Sequence, residues 1–308
     1  MNEKLTVLEC DYRYCGWAID VHTKEITSHL ETYQQRKATD DYQLCGVYRQ
    51  TELPYELKKV TGDKYSGEEP YQAIPHAFSD LTCEAIKRGN KLLASSGYCV
   101  YAPAIVGGIQ RAIGEDKKIG VIWIDAHFDN VIIEDTCEES VILVGVPLST
   151  IMGKTMDKWR KNSCILKKAI PPEYILASDG RCSDKECIRN IRRTTAIVVS
   201  EEDFDKRTVW KQKVEELNDK VDAIYLMVDV DILKADLVPA YYERHKGGHD
   251  VDTVMDNVRA VMNTDKVIAF SCFCADFDKY EDGGDTTYLN SMKVIGAGLS
   301  SWKKRPLF

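Results

Sequence analysis

Long hydrophobic runs are missing from this sequence of 308 residues. Its most apolar stretches, such as Val121-Ile122-Trp123-Ile124, fall far short of the roughly 20 residues a membrane-spanning helix needs. Met1-Asn2-Glu3-Lys4 leads into an alternating stretch with no apolar leader, so no signal peptide is expected. Basic excess is missing too: 41 Lys and Arg stand against 49 Asp and Glu, a net charge of −8. That balance argues against nucleic acid or a membrane surface as partner. The 11 cysteines are odd in number and scattered from Cys10 to Cys274, which reads as free thiols in a reducing compartment rather than a disulfide frame. Neither Cys182 with Cys187 nor Cys272 with Cys274 completes the four-ligand spacing of a structural zinc. No linker rich in Pro, Gly or Ser divides the chain and no repeat is visible. One cytoplasmic domain over residues 1–308 is expected.

What is present is ordinary for a protein with a proper core: 44% hydrophobic and 29% charged residues. Short apolar runs alternate with longer amphipathic ones. Leu5 to Cys10, Cys99 to Val106, Lys118 to Ile124, Tyr174 to Ala177, Thr195 to Val199, Ala223 to Val228 and Val267 to Cys274 read as strands. Pro75 to Ser96, Val209 to Val221, Val251 to Met262 and Tyr288 to Ser300 read as helices. Alternation of this kind predicts an α/β fold of three layers, αβα, around a mainly parallel sheet. Ligands in such folds sit outside the carboxyl ends of the strands.

Two acidic motifs lie where that rule points. After the run ending at Ile124 comes Asp125-Ala126-His127-Phe128-Asp129, and after Val228 comes Asp229-Val230-Asp231. In extended chain alternate residues share a side, so Asp125, His127 and Asp129 would converge. Carboxylates at the mouth of an apolar sheet are costly unless their charge is compensated. Two divalent cations would cancel four aspartates, and oxygen donors with one imidazole suit an ion such as Mn²⁺.

Trp123 to Asp129 resembles the metal signature of the ureohydrolases, the family of arginase, agmatinase and formimidoylglutamase. Asp229-Val230-Asp231, with Pro239-Ala240 and Gly247-Gly248 after it, is similar to that family's second metal motif and the glycine pair behind its substrate loop. Cys272 to Asp278 resembles its last strand and loop, and Thr286 to Ser300 its terminal helix. The resemblance implies that Asp125, His127, Asp129, Asp229 and Asp231 hold one or two ions, Mn²⁺ or another divalent ion such as Ni²⁺. Asp129 would also orient the attacking water. Hydrolysis of a linear amidine or guanidine carbon–nitrogen bond in a small molecule is the implied reaction, in a homo-oligomer (a trimer or hexamer by analogy).

The departures are equally specific. Gly107-Gly108 matches the family's Gly-Gly-Asp-His turn, which puts Gln110 in place of a sixth ligand, the histidine. Val144 stands where arginases often carry a proton-shuttling histidine. Cys272 aligns with the acidic residue that holds the guanidinium, and a thiol cannot offer the paired acceptors a guanidinium needs. Arginine is therefore not the expected substrate. Tyr241 and His245, with Tyr242, Glu243 and Arg244, fall on the substrate-facing loop. The alternative is a degenerate member that binds without catalysis. The related deacetylase branch uses tandem histidines, and no His-His pair exists here.

Overall fold

The computed structural model describes residues 3–10, 19–25, 49–137, 139–241, 244–274 and 284–302. Among them, strands β1 (Leu5–Glu9), β2 (Tyr55–Lys59), β3 (Lys91–Ala94), β4 (Ile119–Asp125), β5 (Ile175–Asp179), β6 (Ile197–Val199), β7 (Ala223–Asp229) and β8 (Val267–Phe273) form one sheet. Its order is β2-β1-β3-β8-β7-β4-β5-β6, and every pairing is parallel. β4 and β7 are buried at every residue, as strands covered by helices on both faces must be. The edge strand β2 alternates between exposed and half-buried positions instead. The expected α/β class and parallel sheet are what the structure has.

Two expected elements are different. The helix expected from Pro75 to Ser96 is α1, Pro70–Lys87, and it ends where Gly89 takes φ 79°. Glycine reaches that left-handed conformation without steric cost and closes the helix, after which β3 begins. Within α1, Pro75 cannot donate to the carbonyl of Tyr71 four residues back. The indole Nε1–H of Trp159 takes that oxygen at 2.9 Å, so the helix runs on with its acceptor satisfied.

The strand expected from Cys99 to Val106 is a 3₁₀ turn, Cys99–Tyr101, running into helix α2, Ala102–Ile113. Its apolar run is the buried face of a helix that opens with Pro103 in the first turn, a position proline tolerates. Gly107 and Gly108 therefore lie inside a helix, not in a turn. A Cβ on Gly108 would stand 2.5 Å from Thr82 Cβ and 2.6 Å from Ser79 O of α1. One on Gly107 would stand 2.0 Å from the backbone oxygen of Cys164. The pair lets α2 press against α1 and the 164–166 segment.

The later helices are α3 (Pro147–Ile151), α4 (Asp157–Asn162), α5 (Lys185–Arg192), α6 (Glu201–Phe204), α7 (Arg207–Asn218), α8 (Val251–Met262) and α9 (Gly284–Leu299). α8 spans the expected residues, and α7 and α9 start ahead of theirs. Asp184 and Ser200 cap α5 and α6 through bonds to Cys187 N and Asp203 N.

Gly107→Ala is expected to lower unfolding stability despite alanine's helix advantage of about 1 kcal/mol. The clash is with backbone that cannot rotate away, so a net loss of roughly 2 kcal/mol is expected, read from urea midpoints. Gly67→Ala, where no atom lies within 4 Å, should leave the midpoint near that of the parent.

Candidate metal centre

Because the sheet is parallel, the carboxyl ends of four neighbouring strands, β3, β8, β7 and β4, open on one rim. β4 and β7 run level, Ile124 opposite Val228, so each strand's final residue, Asp125 and Asp229, arrives beside the other. β8 brings Phe273 opposite Asp229 and then Cys274. β3 leads through residues 95–98 to Cys99. All of Cys99, Asp125, Asp129, Asp229, Asp231 and Cys274 are buried.

Three groups of donor atoms result, each with its members' atoms within 4.8 Å of one another: Asp125, His127 and Asp231; Cys99, Asp125 and Asp229; and His127, Cys182 and His245. His127 Nδ1 lies 2.9 Å from Asp231 Oδ2 and 3.4 Å from Asp125 Oδ1. Backbone N–H groups hold the carboxylates in place. His127 N donates to Asp125 Oδ1 at 2.7 Å, Ala126 N to Asp231 Oδ1 at 3.0 Å, and Asp231 N to Asp229 Oδ1 at 3.2 Å. Cys274 Sγ donates to Asp229 Oδ2 at 3.0 Å, and the Cys99 thiol lies beside Asp129. Asp129 Oδ2 and Asp125 Oδ2 are buried with no hydrogen-bond partner, a costly state for a carboxylate oxygen.

The electrostatics point the same way. Burial, then the charges of Asp231, Asp129 and Asp229, push the Asp125 carboxyl far above the carboxylate range. Burial and Asp231 do the same to Asp229, and burial pushes Asp129 up to about 7. Burial acts on Asp231 too, but His127, Ala126 N and Arg181 outweigh it and hold this carboxyl below its usual range. For His127, burial opposes protonation, and Asp231 and Asp125 overcome it, raising the imidazole well above its ordinary value. This is a site that calls for positive charge. Its oxygen and imidazole donors fit a divalent cation, which would engage the orphaned carboxylate oxygens.

A second layer of charge holds the Asp231 turn. Arg181 donates through Nη2 to Asp231 O at 2.6 Å and through Nη1 to Asp179 Oδ2 at 2.9 Å. The fully buried His249 ring spans Asp179 Oδ2 at 2.8 Å and Asp205 Oδ1 at 2.7 Å. Sequence reasoning missed this set. Asp179 is level with Asp125 at the end of β5 and follows the same strand-end rule, but the strand was expected to stop at Ala177.

The site residues expected from sequence do not all meet. Asp125, His127, Asp129, Asp229 and Asp231 come together. Gln110 does not join them: its Nε2 donates to Lys168 O at 2.8 Å and its Oε1 accepts from Lys168 N at 2.9 Å. The amide is spent as a clamp between α2 and that loop, and it is Cys99 that lies beside Asp125 and Asp229. Cys272 is fully buried in β8 opposite Val228, and Cys274 is the thiol against Asp229. His245 packs edge-on to His127, ring centres 4.7 Å apart, with Tyr241 behind it at 6.2 Å. Tyr242, Glu243 and the loop to Asp278 lie outside the described residues.

Raised carboxyl values in the fold mean that the folded protein binds more protons than the unfolded chain between pH of about 4 and about 7. Stability of chelator-treated protein should therefore fall as pH rises through that window. Added divalent cation should restore the melting temperature at pH near 8. A melting temperature that rises with pH in chelator would contradict this charge balance.

Several solved structures share the fold. Entamoeba histolytica arginase, solved with L-ornithine, has a TM-score of 0.76 at 16% identity, over 97% of this chain and 98% of that one. Bacillus subtilis formimidoylglutamase has a TM-score of 0.70 at 14% identity, over 98% and 88%. Proclavaminate amidino hydrolase of Streptomyces clavuligerus has a TM-score of 0.66 at 14% identity, over 98% and 92%. No curated protein sequence matches significantly. The Arginase family model matches residues 23–282, most of the chain. With that match over the strands that carry both acidic motifs, the chain belongs to the arginase family.

Proposed function

We propose that this protein is a metal-dependent hydrolase of a linear amidine- or guanidine-type carbon–nitrogen bond. Asp125, His127, Asp129, Asp229 and Asp231 would hold the cation or cations. The observation that carries the reading is the convergence of Asp125, His127, Asp229 and Asp231 at one rim. Asp129 is near enough to act on Asp125, and the buried Asp125 Oδ2 and Asp129 Oδ2 are left without partners. A bound divalent cation, Mn²⁺ as is usual for the family or Ni²⁺, would supply Lewis acidity and a water that ionises near neutral pH.

The chain's own groups do the positioning. Asp129 Oδ2 is available to accept a hydrogen bond from the attacking water and fix its direction. His127 is steered by Asp231 and Asp125, and Arg181 keeps the Asp231 turn from moving. Tyr241 and His245, packed in series against His127, are the groups a substrate would touch. A guanidinium asks for two coplanar acceptors, and the thiols of Cys272 and Cys274 offer none. That weighs against the guanidinium of arginine, agmatine and guanidino acids alike, and favours the smaller formimino group of a compound such as formimidoylglutamate. The names of two structural relatives, formimidoylglutamase and proclavaminate amidino hydrolase, give substrates other than arginine. We further propose one continuous catalytic unit over residues 1–308 that works as a homo-oligomer in the cytoplasm.

The test is release of ammonia, formamide or urea from a panel of these compounds and arginine, with added Mn²⁺ or Ni²⁺. Turnover of a non-arginine member is expected, abolished by chelation. Asp229→Asn should lower it by at least roughly a hundredfold, since even partners of metal ligands contribute 10–100-fold. No turnover with any member and any ion would replace this reading with a family member that binds without catalysis.

A further inference from the structure

We propose that one end of this site is a thiolate centre: Cys99, joined by Cys274, would ligate a cation together with Asp125 and Asp229. This rests on the metal-centre reading above and names which kind of ion it takes. Cys99 Sγ and an oxygen from each of Asp125 and Asp229 lie within 4.8 Å of one another, all three residues buried. Donors around one tetrahedral ion with bonds of about 2.0–2.3 Å sit roughly 3.5 Å apart, so small side-chain rotations close the gap.

Cys274 lies outside that group of mutually close donors but borders it through Asp229, which makes it the candidate fourth donor. Cys274 Sγ is 3.0 Å from Asp229 Oδ2, and the residue adopts φ 59°, a conformation uncommon for any residue but glycine. Asp125 Oδ2 supplies the independent sign of a missing ligand: it is buried, unpartnered and on the residue common to two of the three donor groups. The Asp125, His127 and Asp231 group, in contrast, offers only oxygen and nitrogen.

Thiolate donors shift preference from Mn²⁺ towards Zn²⁺ and other borderline ions. Each thiol that binds exchanges its S–H bond for a bond to the metal and releases one proton to solvent. The end carrying Cys99 should therefore hold Zn²⁺ or Co²⁺ in preference to Mn²⁺, while the His127 end accepts either.

The experiment titrates chelator-treated full-length protein with Co²⁺ and records its absorption. A near-ultraviolet thiolate-to-cobalt charge-transfer band is expected, displaced by Zn²⁺ and not by equimolar Mn²⁺. Cys99→Ser should remove most of the band and weaken Zn²⁺ binding at that end by at least roughly a hundredfold. Cys182→Ser, at a residue of the His127 and His245 group and not of the Cys99 group, should leave the band. Cadmium NMR of the unaltered protein reads sulfur ligation from chemical shift and needs no variant to fold. Cobalt bound without a thiolate band, a band lost in Cys182→Ser but kept in Cys99→Ser, or a cadmium shift typical of oxygen and nitrogen ligands would overturn the thiolate assignment while leaving the metal centre intact. No binding of Co²⁺, Zn²⁺ or Mn²⁺ at all would overturn both.

Discussion

Repulsion among buried carboxylates is the constraint around which the rest of the structure is arranged. Two unit charges 4 Å apart repel by ~4 kcal/mol at an effective dielectric near 20. Asp125, Asp129, Asp229 and Asp231 share one buried rim, so several such terms act together. The fold offsets part of them locally. Main-chain N–H groups of Ala126, His127 and Asp231 point at the carboxylates, and His127 and Arg181 bring positive charge. What these donors leave uncompensated is the charge that a bound cation would neutralise.

That arrangement shapes the backbone as well. Asp129 and Cys274 both sit in the left-handed region, at φ 45° and 59°, where a side chain costs roughly 1–2 kcal/mol. Asp129 is kept there by its carbonyl, which accepts from Leu148 N at 2.9 Å. Cys274 N donates to Gly97 O at 2.9 Å, which fastens the turn after β8 to the turn that carries Cys99. Strain of this kind persists only where neighbouring contacts over-determine the geometry.

The two acidic motifs were legible because each follows an apolar run that reads as a buried strand, but the extended-chain alignment expected of them does not hold. β4 and β7 end at Asp125 and Asp229, and the turns beyond, with Asp129 left-handed and Asp231 in a 3₁₀ turn, bring the side chains together. The Cys99 corner was not legible for a related reason. A run such as Val100 to Val106 is equally apolar as a buried strand or as the inner face of a helix, and periodicity cannot separate them. Pro103 and Gly89 carried the missing information, one opening α2 and the other closing α1. Gly107-Gly108 misled in the opposite direction. A glycine pair fits a tight turn and a close helix contact equally well, and only the placement of Cys164 and Thr82 distinguishes the two. Gln110 then followed the misplaced turn by register.

The strand order has a consequence for how the molecule is assembled. β8, the last strand in sequence, pairs with β3 on one side and β7 on the other. Without it, β2-β1-β3 and β7-β4-β5-β6 share no ladder. A nascent chain can form either half of the sheet early, yet the halves are joined only after residue 267 has been made. Pairings of such long sequence separation form late and slowly. Cys99 comes from one half and Asp125 and Asp229 from the other, so the rim closes with the final strand. Affinity for an ion whose ligands include Cys99 would then report completed assembly of the sheet, whereas Asp125, His127, Asp129, Asp229 and Asp231 all belong to the second half.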